Sequence, residues 1–134
     1  MVMQSQAAES RRVKGFTLIE VLVVLSIIAT LLTLVAPRYF EIVARSKETT
    51  LKHDLIGMRD AIDKYYSDTG NYPDALDDLV AKKYLRAIPE DPITGSDKTW
   101  VITPPDSTEV SGSVYDIHSG SPAIAQDGSN YADW

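Results

Sequence analysis

From Phe16 to Ala36 the chain is apolar at nearly every position, and Glu20 is the lone charge between Gly15 and Pro37. Leucine, isoleucine and valine dominate, so no face of the run is polar. Its 21 residues, coiled at ~1.5 Å per residue, cover roughly 31 Å, about one hydrocarbon core. Beyond Pro37 the pattern becomes amphipathic. Leu51, Leu55, Met58, Ile62 and Tyr65 recur at spacings of four and three, a helical stripe. Glu41 with Arg45, Glu48 with Lys52 and Asp60 with Lys64 are acid-before-base pairs on the same helix, each expected to add a few tenths of a kcal/mol. The stretch 67–71, with Gly70, stops the pattern. One long, bent helix from Phe16 to about Tyr66 is expected, with its stripe packed under a small head.

The head, residues 67–134, mixes short elements. A second helix is expected from Tyr72-Pro73-Asp74, with Pro73 in its first turn and Ala75, Leu76, Leu79, Val80 and Tyr84 on its buried face. Residues 88–97 are dense in turn formers. Residues 100–103 and 114–118 read as two short strands, joined by an exposed loop holding Pro104, Pro105, Ser111 and Gly112. The class is α+β: a long N-terminal helix packed on a small head with a short helix and a small antiparallel sheet. The divisions are a leader (1–15), an apolar helix (16–37), an amphipathic stem (38–66) and a globular head (67–134).

Charge adds direction. Arg11, Arg12 and Lys14 precede the apolar run, which places the N-terminus in the cytoplasm and the head outside. The whole chain carries a net charge of -6 and the leader a local +2, so the rest stands at -8. An acidic body repels phosphate, and nucleic acid is not an expected partner. The chain has no cysteine, which excludes disulfides, thiolate nucleophiles and cysteine metal sites. A small extracytoplasmic head must then be held by packing or by a bound cation.

Three readings of the apolar run compete. A cleaved signal peptide needs small residues after the run, and Pro37 directly after Ala36 disfavours that cut. A plain signal anchor explains length and orientation but not a carboxylate near the head of the span, which is expensive there and invites a function. The third reading rests on KGFTLIE, Lys14 to Glu20, which resembles the type III signal of the type IV pilin superfamily. That resemblance implies a membrane peptidase that cuts between Gly15 and Phe16 and methylates the new N-terminus. Glu20 then lies about one turn from the freed Phe16 amine. The two could neutralise one another within one subunit, and the resemblance implies pairing between neighbouring subunits. A buried charge without a partner costs several kcal/mol, so only the axial offset that pairs them is acceptable. The plainer alternative leaves Glu20 among lipid head groups. Pro37 removes a backbone bond and is expected to break or bend the helix. The resemblance implies that it can unwind as a subunit leaves the membrane, the alternative being a simple end to the span.

Within that superfamily, YYSDTGNYP, YLRAIPEDP, the later Trp100, VYDIHSG and DGSNYADW resemble the major pseudopilins of type II secretion. The resemblance implies a homopolymeric helical filament in the periplasm, made with a prepilin peptidase, an inner-membrane assembly platform with its ATPase, and minor pseudopilins. It also implies calcium in the C-terminal loop, with Asp127 and Asp133 at the matching positions and Asp116, Ser119 and Asn130 as helpers. Calcium takes six to eight oxygens. The alternative is that Asp127-Gly128 is an ordinary turn and Asp133 a solvated charge.

Enzyme chemistry finds little support. No glycine-rich phosphate loop or nucleophile motif is present. His53 and His118 stand apart, without a zinc-like partner spacing. Asp74, Asp77 and Asp78 suit a helix N-terminus better than a carboxylate pair. The rivals are a type IV pilin of a surface fibre for adhesion, twitching or DNA uptake, a monomeric membrane-tethered binding domain, and an electron conductor using Phe16, Tyr39, Phe40, Tyr65 and Tyr66. Packing explains those aromatics more simply.

Overall fold

The computed structural model describes residues 2–3 and 12–134. Arg11 of the expected leader lies outside the described residues. The elements run in order α1 (Leu18–Thr69), α2 (Leu76–Ala81), β1 (Val101–Thr103), β2 (Asp116–His118) and a 3-10 turn (Tyr131–Asp133). The chain divides into two compact units, Met1–Tyr39 and Phe40–Trp134.

In the first unit, α1 carries the apolar run. None of its most apolar 18-residue window, of mean hydropathy 2.7, is buried within the protein. Side chains such as Leu22, Leu25, Leu32 and Val35 are more than half exposed. Uncovered apolar surface of this extent calls for lipid or another protein chain. Three hydroxyls interrupt it. Ser26 Oγ donates to the Leu22 carbonyl (2.7 Å), Thr30 Oγ1 to that of Ser26 (2.8 Å) and Thr33 Oγ1 to that of Ala29 (2.8 Å). Each is satisfied inside its own helix.

Pro37 lies inside α1, which continues past it as the one long helix expected from the sequence. The ring deletes one donor, the N–H that would bond the Thr33 carbonyl four residues back. The bonds on either side are sufficient to carry the helix past it.

The second unit is built on the later turns of α1. Leu51, Leu55, Met58, Ala61, Ile62 and Tyr65 are all buried, so the predicted stripe is the core face. Against it pack Leu76 and Leu79 of α2, Trp100, Val114, Ile117, Ala125 and Tyr131. Trp100 Nε1 donates to the Pro89 carbonyl at 2.8 Å, which satisfies its polar edge. β1 and β2 form one antiparallel pair with Ile102 opposite Ile117.

α2 starts later than the sequence predicts. Pro73 is fully buried before the helix, and its carbonyl accepts from the amides of Ser113 (3.0 Å) and Val114 (2.9 Å). Asp78 sets the start instead, its carboxylate accepting from the amides of Asp74 and Ala75. Ala75 is exposed, while Leu76 and Leu79 are buried. Gly112 fits here for two reasons: its φ is +107°, and a Cβ would stand 2.0 Å from the Tyr72 carbonyl oxygen.

Candidate functional site

Two regions carry the sequence-predicted residues, the entry to α1 and the C-terminal loop.

At the entry, Thr17 is the residue before the first helical turn and Glu20 is the third residue of the helix. The Thr17 amide donates to Glu20 Oε2 at 3.0 Å, and the Glu20 amide donates to Thr17 Oγ1 at 3.3 Å. This is a capping box, which satisfies two of the helix's free amides reciprocally. A negative group at this end also suits the helix dipole. The carboxylate is therefore held at the amide that joins Phe16 to Thr17, one residue beyond the Gly15–Phe16 bond. Phe16 is 90 % exposed. Phe16, Glu20, Val21, Val24 and Leu25 line one groove along this stretch. At Gly15 a Cβ would meet nothing within 4 Å, so the chain's own packing does not demand glycine there. The T-x-x-E signature was present in the sequence and would have revealed the cap.

In the C-terminal loop, Asp127 accepts from the amide of Ser129 at 2.9 Å and from its hydroxyl. These bonds, the hydroxyl's first, hold its carboxyl below the ordinary range. Asn130 donates to Asp133 at 3.3 Å. Ser119 is fully buried and its hydroxyl donates to the buried carboxylate of Asp91. Asp116 faces a cation, with Arg59 Nε 2.8 Å from its Oδ1. Among the described residues no three carboxylate or imidazole side chains are grouped to hold a metal ion. As arranged, Asp127, Asp133, Asp116, Ser119 and Asn130 each hydrogen-bond within the protein, and Asp116 answers a guanidinium.

Arg59 is the residue that sequence reading missed. From α1 it donates to Asp116, to the Ile117 carbonyl (2.9 Å) and to the Trp134 backbone oxygen (2.7 Å). His118 Nδ1 lies 2.7 Å from the same oxygen, and His118 Nε2 lies 3.5 Å from Asp116. Burial works against the charge of Asp116. Bonds from the Ile117 amide and Arg59, with the charges of Arg59 and His118, outweigh it and hold the pKa below the ordinary 3.8. A carboxylate depressed in the fold stabilises it above the unfolded pKa, and that contribution is lost as pH falls through the folded value. Thermal melts should accordingly show stability declining below about pH 4, and Asp116→Asn should flatten that decline.

Glu48 was also missed in this role. Instead of pairing with Lys52, its Oε1 accepts from the Gln126 amide and the Tyr131 hydroxyl, both at 2.8 Å. Lys52 Nζ sits 4.5 Å above the Trp134 ring.

Residues 10–36 match the family model described as a prokaryotic N-terminal methylation motif. The chain is 31 % identical to the type II secretion system core protein G of Aeromonas hydrophila, over 63 % of this chain and 70 % of that one. It is 33 % identical to the protein of the same name from Pseudomonas aeruginosa, over the same two shares. The fimbrial protein EcpC of Eikenella corrodens is 42 % identical over 45 % of this chain and 39 % of its own. No solved structure matches the chain.

Proposed function

Since the chain belongs to the family of the type II secretion system core protein G, we propose that it is a major pseudopilin, the structural subunit of a periplasmic filament that drives protein export. One observation carries the reading: the Glu20 carboxylate, bonded to the Thr17 amide one residue beyond Phe16, stands at the head of an uncovered apolar helix. The precursor waits in the inner membrane as a single span. Its N-terminus stays in the cytoplasm, held there by Arg11, Arg12 and Lys14. A prepilin peptidase cuts after Gly15 and methylates Phe16. The new amine then lies one residue from the amide that Glu20 already accepts from. In the filament, the Glu20 carboxylate meets the Phe16 amine of a neighbouring copy, which fixes the axial register. The role is structural, in a homopolymer assembled with an inner-membrane platform and minor pseudopilins.

Gly15 offers the direct test. Because its surroundings are open, Gly15→Leu should fold and insert as the parent does. It should keep its leader, read as the full precursor mass and an unmethylated N-terminus in protein purified from native membranes. A processed, methylated product from that variant would count against the reading.

A second reading, a type IV pilin of a surface fibre, is favoured by the fimbrial relative. That match takes in 45 % of this chain, against 63 % for the secretion protein of Aeromonas hydrophila. The longer match supports secretion. Deleting the gene separates the two: loss of exported proteins with surface fibres intact supports the pseudopilus, and the reverse supports the pilus.

A further inference from the structure

We propose that the C-terminal loop, residues 123–131, is locked onto α1 by Glu48 and holds its shape without a divalent cation. This stands apart from the filament reading and does not depend on it.

A metal-bound loop presents carboxylates and backbone carbonyls to an empty centre. This loop closes on itself instead. The Ala125 amide donates to the Ser129 carbonyl (2.7 Å), the Gly128 amide to the Ala125 carbonyl (3.0 Å) and the Tyr131 amide to the Ala123 carbonyl (3.3 Å). Gly128, at φ +87°, makes the turn that brings these groups together. Asp127 is occupied by Ser129, and the Ser129 hydroxyl accepts from Trp134 Nε1 at 2.7 Å.

The lock is then a single oxygen. Glu48 Oε1 takes both the Gln126 amide and the Tyr131 hydroxyl. Both are hydrogen bonds to a charged group, the stronger kind. Gln126 Nε2 adds a bond to the Glu41 carbonyl at 3.2 Å. Ala125 and Tyr131 are buried on either side of this attachment. Part of the positive charge a metal would bring to Asp127 is already supplied by Lys52 of α1, which lines one groove with Asp127 and Trp134.

The experiment uses the full chain in detergent. Thermal unfolding is followed with EDTA and with millimolar calcium chloride, alongside amide hydrogen exchange of residues 123–131. The parent should melt at the same temperature in both solutions. Glu48→Ala should speed exchange at the Gln126 and Tyr131 amides by about tenfold or more, with the amides of Leu55 and Ile62 unchanged. A calcium-dependent rise in melting temperature that EDTA reverses would overturn the proposal, as would unchanged loop exchange in Glu48→Ala. If that variant does not accumulate, Glu48→Gln and Tyr131→Phe are measured in its place. Faster loop exchange in them supports the lock, and parental exchange refutes it.

Discussion

Glu20→Leu is expected to give a subunit that is cut, methylated and inserted but polymerises poorly, with filament yield in a cross-linking assay down by at least about tenfold. A cost of several kcal/mol for an unpaired buried charge spans more than a factor of ten in an equilibrium constant. Leucine, however, removes two things together: the charge and the capping bond to the Thr17 amide, the latter alone contributing about 1 kcal/mol. Glu20→Gln separates them. Glutamine serves at this position of a capping box, so the helix start survives while the negative charge does not. If the glutamine variant assembles as poorly as the leucine one, charge pairing sets the register. Parental yield from Glu20→Gln would mean that Glu20 acts through the cap alone, and the pairing idea would fall.

Arg59→Ala is expected to destabilise the head by about 2–4 kcal/mol, enough to lower its melting temperature by several degrees. The loss has identifiable parts. Asp116 is partly buried and would keep its charge without its closest cation. The carbonyl of Ile117 and the backbone oxygen of Trp134 would each lose a charged donor. Removing the acid as well should recover part of the deficit. Arg59→Ala combined with Asp116→Asn should therefore be less destabilised than the sum of the two single variants, a coupling readable by thermal unfolding of the full chain in detergent. Strict additivity would show that the ion pair contributes nothing of its own. Arg59→Met, which keeps most of the stem, distinguishes lost packing from lost bonds.

What the sequence revealed was local and periodic. The stripe from Leu51 to Tyr65 is legible because a 3.6-residue period leaves a mark within a few turns, and its burial follows. The strands were legible to within two residues, since 100–103 and 114–118 shorten to Val101–Thr103 and Asp116–His118. The start of α2 was misjudged because Pro73 is as suited to a buried turn as to a first helical residue. Asp78, three residues beyond Ala75, carried the better signal. Arg59 and Glu48 were illegible for another reason. Their partners lie 57 and 78 residues away along the chain, and no window of pattern reaches that far. Glu48 with Lys52 even forms the spacing of a helical ion pair, which the fold sets aside for longer-range bonds.

Ser26, Thr30 and Thr33 bear on how this subunit would travel. Their hydroxyls each turn back to a carbonyl of their own helix, so none is left seeking a donor or acceptor in the surrounding oil. At these three positions, withdrawing the rod from a bilayer ruptures no polar bond with its surroundings, and sliding it among sister rods requires none to form. Along these turns the contact is greasy and has no preferred direction, which leaves the catch to the carboxylate at the head of the rod.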